Sequence, residues 1–71
     1  MCFQFKEYET DHEGVVTGYK VLWGNEQVAT LEYRSHKWIG AVVKDIKIIT
    51  KCDKSVMRVA GWIIQKVESS V

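Results

Sequence analysis

The sequence predicts an α+β domain in which an antiparallel meander of three to five strands packs on a single C-terminal helix. Three observations lead there. Runs of β-branched and aromatic residues are broken by two-residue turn signals, one amphipathic stretch closes the chain, and 71 residues with 46% hydrophobic content leave room for one small core. A chain of that length makes one domain of two layers, near the lower limit for a fold without disulfide or metal staples. Proline is absent and only five glycines occur, so residues 1–71 contain no linker or low-complexity stretch.

The central strands are the clearest. Val15 to Trp23 is rich in β-branched and aromatic residues and stops at Gly24-Asn25, a strand followed by a tight turn. Gln27 to Arg34 makes the next strand, Ser35-His36 a short connection, and Lys37 to Val43 a third strand. Two flanking strands are expected. Met1 to Tyr8 places Phe3 and Phe5 on one side of the pleat and joins the meander through Asp11-His12-Glu13-Gly14; Ile46 to Thr50 follows Lys44-Asp45.

With two-residue turns at both Gly24-Asn25 and Ser35-His36, Val16, Leu22, Ala29, Leu31, Tyr33, Trp38 and Val42 share the face that the helix covers. Tyr19, Val21, Trp23, Val28, Ile39, Ala41 and Val43 then occupy the other face, which is nearly as apolar. One helix cannot bury both. Either the register shifts, or the N-terminal segment crosses the second face, or that face is an interface with a second copy or another chain.

The helix is expected over residues 54–69. At about 100° per residue, Val56, Ala60, Ile63, Ile64 and Val67 form its buried stripe, with Arg58, Gln65, Lys66 and Ser69 opposite. Asp53 or Ser55 can cap its first turn, and Thr50 with Asp53 also fits a capping-box spacing. Trp62 falls out of phase, among the polar residues, with Arg58 and Lys66 one turn away on either side. Gly61 beside it costs the helix about 1 kcal/mol relative to alanine and leaves room for something to approach.

Charge divides the chain. Residues 1–33 carry two lysines against six carboxylates, a balance of −4, and residues 34–71 carry eight basic against three acidic side chains, a balance of +5. Either the halves neutralise each other across the fold, or a basic surface meets an acidic partner. The acidic N-terminus and the short apolar runs at Ile39–Val43 and Val59–Ile64 fit neither a secretion signal nor a membrane span, so a cytoplasmic protein is expected. Cys2 and Cys52 match no zinc or redox spacing and are expected as reduced thiols, although a single bridge between them is compatible with the sequence.

Candidate chemistry is sparse. His12 with Asp11 and Glu13 offers metal-ligand atom types, but polar turn chemistry accounts for all three, and His36 is read as a turn residue. Cys52 beside Lys51 and Lys54 lies close before the helix, where a thiolate is stabilised, yet no histidine is near in sequence to act as its base. There is no phosphate loop, metal motif or nucleophile elbow, and one sheet with one helix seldom encloses a pocket. The expectation is a non-enzyme with no catalytic residue, metal or cofactor.

Two binding functions follow. The first is a protein-interaction module that presses Trp62, Arg58 and Lys66, or a sheet face bearing Tyr19 and Trp23, against a partner protein or a second copy. The second is a nucleic-acid-binding domain in which Arg34, Lys37, Lys44, Lys47, Lys51 and Lys54 meet phosphates while a sheet aromatic touches bases. A three-stranded sheet followed by one helix is similar in outline to sheet-reading DNA-binding domains such as the integrase arm-binding type. The near-neutral total charge and the acidic stretch Glu7 to Glu13 favour the first function. In its shortness and lack of motifs the chain also resembles accessory open reading frames of phages and mobile elements, many of which bind host proteins.

Overall fold

Tight hairpins build the sheet. A computed structural model describes residues 2–69. In it β1 (Phe3–Thr10), β2 (Val16–Trp23), β3 (Glu26–Arg34), β4 (Lys37–Lys44) and β5 (Lys47–Asp53) form one antiparallel sheet in the order β1-β2-β3-β4-β5, followed by helix α1 (Val56–Glu68). The three central strands and both flanking ones are present, each within three residues of its expected bounds; Met1 lies outside the described residues. Gly24-Asn25, Ser35-His36 and Asp45-Ile46 are the two-residue turns, closed by the pairs Trp23↔Glu26, Arg34↔Lys37 and Lys44↔Lys47. Ser35 (φ 52°) and His36 (φ 63°) both take the left-handed backbone of a type I′ turn, which matches the twist of the strands it joins.

A bulge decides which residues face the helix. Pairing runs Trp23↔Glu26 and Leu22↔Gln27, then slips, so that Val21 lies opposite Ala29 and Tyr19 opposite Leu31, with Val28 the extra residue on β3. Tyr19, Val21 and Trp23 therefore join Ala29 and Leu31 on the helix side, which corrects the expected partition of the two faces. Ile39, Ala41 and Val43 stay on the other side. The two-residue turn was right; one inserted residue beyond it reversed the side of β2 that meets the core.

The helix side of the sheet then carries an apolar centre flanked by charged residues at its margins. One row runs Phe5–Val21–Ala29–Val42–Ile49 across all five strands, and the next runs Glu7–Tyr19–Leu31–Gly40–Lys51. Val21, Ala29, Leu31, Val42, Val59, Ile63 and Val67 form the buried core. The helix packs chiefly on β4, with lesser contact to β5 and β3. Gly40 is what lets it sit so close. A Cβ at Gly40 would lie 2.6 Å from Val59 Cγ1 and 3.1 Å from Ile63 Cδ1, so a side chain there would force Val59 or the helix to shift.

This docking turns the helix from its expected orientation. Val59, absent from the expected stripe, is fully buried with Ile63 and Val67; Val56, Ala60 and Trp62 pack beside them, and Ile64 is half-buried. The helix meets the sheet along its Val59–Ile63 ridge, which carries Trp62 toward the core and Ile64 toward its margin. Ser55 is the N-cap: its hydroxyl accepts from the Arg58 N–H at 3.4 Å, while its own N–H donates to Asp53 Oδ1 at 2.8 Å. Asp53 and Thr50 belong to β5. Cys52 also lies in that strand, not at the helix terminus, and both cysteines are free and exposed.

Candidate functional site

Because α1 covers one side of the sheet, the opposite side is open, and its two halves differ in chemistry. Over β1–β3 it is polar. Tyr8 lies across Gly18, where a Cβ would stand 2.9 Å from the Tyr8 ring, and its hydroxyl donates to Glu32 Oε2. Lys20 Nζ sits 5.5 Å from the centre of the same ring. Arg34 grips Glu9 with two nitrogens, at 2.9 Å to Oε1 and 3.1 Å to Oε2, and reaches Glu32 at 3.4 Å; the Thr17 hydroxyl donates to Glu9 at 3.0 Å.

These contacts shift the groups that make them. The hydrogen bond to Glu32, then burial and the neighbouring carboxylates, push the Tyr8 hydroxyl up from 10.0 to about 12. Hydrogen bonds from Arg34 and Thr17 hold the Glu9 carboxyl below the usual glutamate range, and the same pairing raises Arg34. Carboxylates of the acidic N-terminal half therefore meet the first cation of the basic half at Arg34, on the open face of the sheet.

Over β3–β5 the open side is aliphatic. Val43 and Ile48 are directly paired across β4 and β5, and they are 64% and 68% exposed; Ile46 in the adjoining turn is 97% exposed. Val43 and Ile48, with Val28, Thr30, Ala41 and Gln27, line a shallow depression of about 230 Å³. That is smaller than the cavities that enclose small molecules, and it is open along one side of a flat sheet. Its chemistry is contact. Exposed aliphatic carbons on adjacent strands gain free energy when another apolar surface covers them, at about 25 cal/mol per Å².

The residues singled out in the sequence are distributed otherwise. Tyr19 and Trp23 lie on the helix side, half-buried, with Trp23 stacked on Phe3 at 5.4 Å and Tyr19 6.1 Å from Trp38. Trp62 packs against the core from α1, while Arg58 is exposed and Lys66 is half-buried. These five do not form one surface with the aliphatic patch.

The basic set is divided as well. Arg34 is held by Glu9 and Glu32; Lys37, opposite Arg34, ends the open side of β4; Lys44, Lys47 and Lys51 fall in the helix-side positions of β4 and β5; and Lys54 sits in the β5–α1 junction. At the acidic turn, Asp11 Oδ1 accepts from the Glu13 and Val15 N–H groups at 2.8 and 3.0 Å, so turn formation explains this carboxylate. Among the described residues no group of three His, Cys, Asp or Glu side chains is placed to share a metal ion. Nor is any helix long and apolar enough to cross a membrane.

Of the patch, Val28, Ala41 and Val43 were legible as an apolar face, but Ile46 and Ile48 were not assigned to it. The signal was present. A two-residue turn at Asp45-Ile46 sets Ile48 beside Val43 and sends Ile49 to the core, which follows once Lys44 and Lys47 are taken as the closing pair. No protein-family model, curated protein or solved structure matches the chain.

Proposed function

We propose that this chain is a non-enzymatic protein-interaction module that binds a partner protein through the open β3–β5 face centred on Ala41, Val43 and Ile48. The observation that carries the reading is the pairing of Val43 with Ile48 on a sheet face that none of the described residues covers. The neighbouring half of the same face shows the alternative that this sequence also contains: there, polar side chains satisfy one another and need no partner.

An aliphatic surface suits a protein rather than a nucleic acid. It offers neither aromatic faces for bases nor converging cations for phosphates. Affinity capture from the cells of origin after nuclease treatment tests this, using the native chain and the Val43→Lys/Ile48→Lys variant. A defined protein retained by the native chain and lost from a variant that melts normally is the expected result. Equal recovery by both chains, or recovery that nuclease abolishes, would overturn the reading.

A further inference from the structure

We infer that the free edge of β5 pairs antiparallel with β5 of a second copy of this chain in a single register centred on Thr50, joining two sheets into one. The inference does not depend on the partner-binding face, since it uses the edge of the sheet rather than its surface. Its first support is the contrast between the two sheet edges. Edge strand β1 has register shifts on both sides of Glu9, the kind of irregularity that spoils pairing with another strand. Edge strand β5 has none; its seven residues pair with β4 without a break.

The second support is the orientation of the backbone. In a two-residue hairpin the flanking residues, here Lys44 and Lys47, exchange both hydrogen bonds. Alternation along β5 then points the N–H and C=O groups of Ile48, Thr50 and Cys52 away from β4, toward the open edge. Three residues with outward amides and exposed side chains are an available ladder.

Charge and length select the register. Centring on Thr50 pairs all of β5, Lys47–Asp53, whereas centring on Cys52, though it also sets Lys51 against Asp53, pairs only the end of the strand. Lysine on an edge strand ordinarily guards against pairing, and two of the possible self-pairings are indeed opposed here. Centring on Ile49 would set Lys47 against Lys51 of the second copy, and centring on Lys51 would set the two Lys51 side chains together. Centring on Thr50 does the reverse. Lys47 then faces Asp53 at both ends of the ladder, Ile49 faces Lys51, Ile48 faces Cys52, and the two threonines meet on the axis. Opposite-charge and Thr–Thr cross-strand pairs are each favourable.

The helices leave room. Since α1 packs chiefly on β4, the two helices would be separated by about three strand spacings, roughly 14 Å, beyond the 8–10 Å at which helices touch. The dimer would set both Val43–Ile48 patches on one face of a continuous sheet.

Sedimentation across a concentration series, combined with amide hydrogen exchange, tests the inference. A dimer is expected in which the Ile48, Thr50 and Cys52 amides exchange about tenfold or more slowly as concentration rises. Thr50→Pro removes an outward N–H without touching the β4 ladder and should give a folded monomer. Lys47→Glu, which sets two carboxylates opposite each other, should weaken the dimer about tenfold and decides the matter if the proline variant fails to fold. A monomer at every concentration, a dimer whose three amides remain fast, a folded Thr50→Pro chain that still dimerises, or a Lys47→Glu chain of native affinity would overturn it.

Discussion

The two halves of the open sheet face solve the same problem in opposite ways. Over β1–β3, Tyr8, Glu9, Lys20, Glu32 and Arg34 bridge one another above the strands, so water and neighbouring charges satisfy that surface. Over β4 and β5, Val43 and Ile48 stand in solvent beside Gln27 and Thr30, whose side chains make no hydrogen bond among the described residues that would cover the aliphatic carbons. On the helix side the same strands carry Val42 and Ile49 under the helix, with Lys44, Lys47 and Lys51 in the remaining positions. In a 71-residue chain, where total stability is about 4–10 kcal/mol, this exposed aliphatic surface is what the proposed partner would cover.

The largest test of this contrast compares two isoleucines. Ile63 is fully buried under the helix, and Ile48 is 68% exposed on the open face. Ile63→Ala should lower unfolding free energy by about 3–4 kcal/mol, a large share of the total, whereas Ile48→Ala should change it by less than about 1 kcal/mol. Denaturant titration of both variants measures the difference. Equal losses would mean that the open face is part of the core.

Trp62 gives the next effect in size. It packs against the core while remaining half-buried, so Trp62→Ala should cost about 2–3 kcal/mol, below the range for a fully buried tryptophan. A melting temperature unchanged by this substitution would return Trp62 to the polar side of the helix and make it a binding anchor instead.

The polar half should reveal itself by pH, with smaller effects. Glu9 is held below its ordinary value by Arg34 and Thr17, so it binds a proton less readily in the folded chain than in the unfolded one. Its stabilisation is present above the usual glutamate value of 4.5 and is lost as pH falls through the lower folded value. The advantage of the native chain over Glu9→Gln in thermal melts should disappear on acidification. Tyr8 behaves in the opposite sense. Its proton is retained by the bond to Glu32, so that contribution is complete below pH 10.0 and fades as pH rises through about 12. Ultraviolet titration should show Tyr8 ionising near 12, and Glu32→Gln should bring it back toward 10.0.

Much of this architecture was legible in the residues. Turn signals at Gly24-Asn25 and Ser35-His36, with β-branched runs between them, are local features, and local features locate strands. The helix was legible for the same reason, while its cap stayed open between Asp53 and Ser55 until the structure placed Asp53 in β5 and Ser55 at the N-cap. What the pattern did not disclose was the slip at Val28, because a bulge inserts a residue without any composition of its own when the inserted residue is a good strand former. That single residue moved Tyr19, Val21 and Trp23 to the helix side. The helix was turned by a comparable detail: Gly40 lies 23 residues from Ile63 in sequence, and only their meeting in space makes the Val59–Ile63 ridge the one that docks. The polar bridge was equally hidden. Glu9 and Arg34 come together across three strands, and neither has a motif to mark it.

Amide exchange mapping of the complex with the captured partner protein tests the central claim most directly. Slowed exchange concentrated at Ala41, Val43 and Ile48, with Arg58, Trp62 and Lys66 unchanged, is the result predicted here. Protection centred on Trp62 and its neighbours, with Val43 and Ile48 still exchanging as in the free chain, would contradict it.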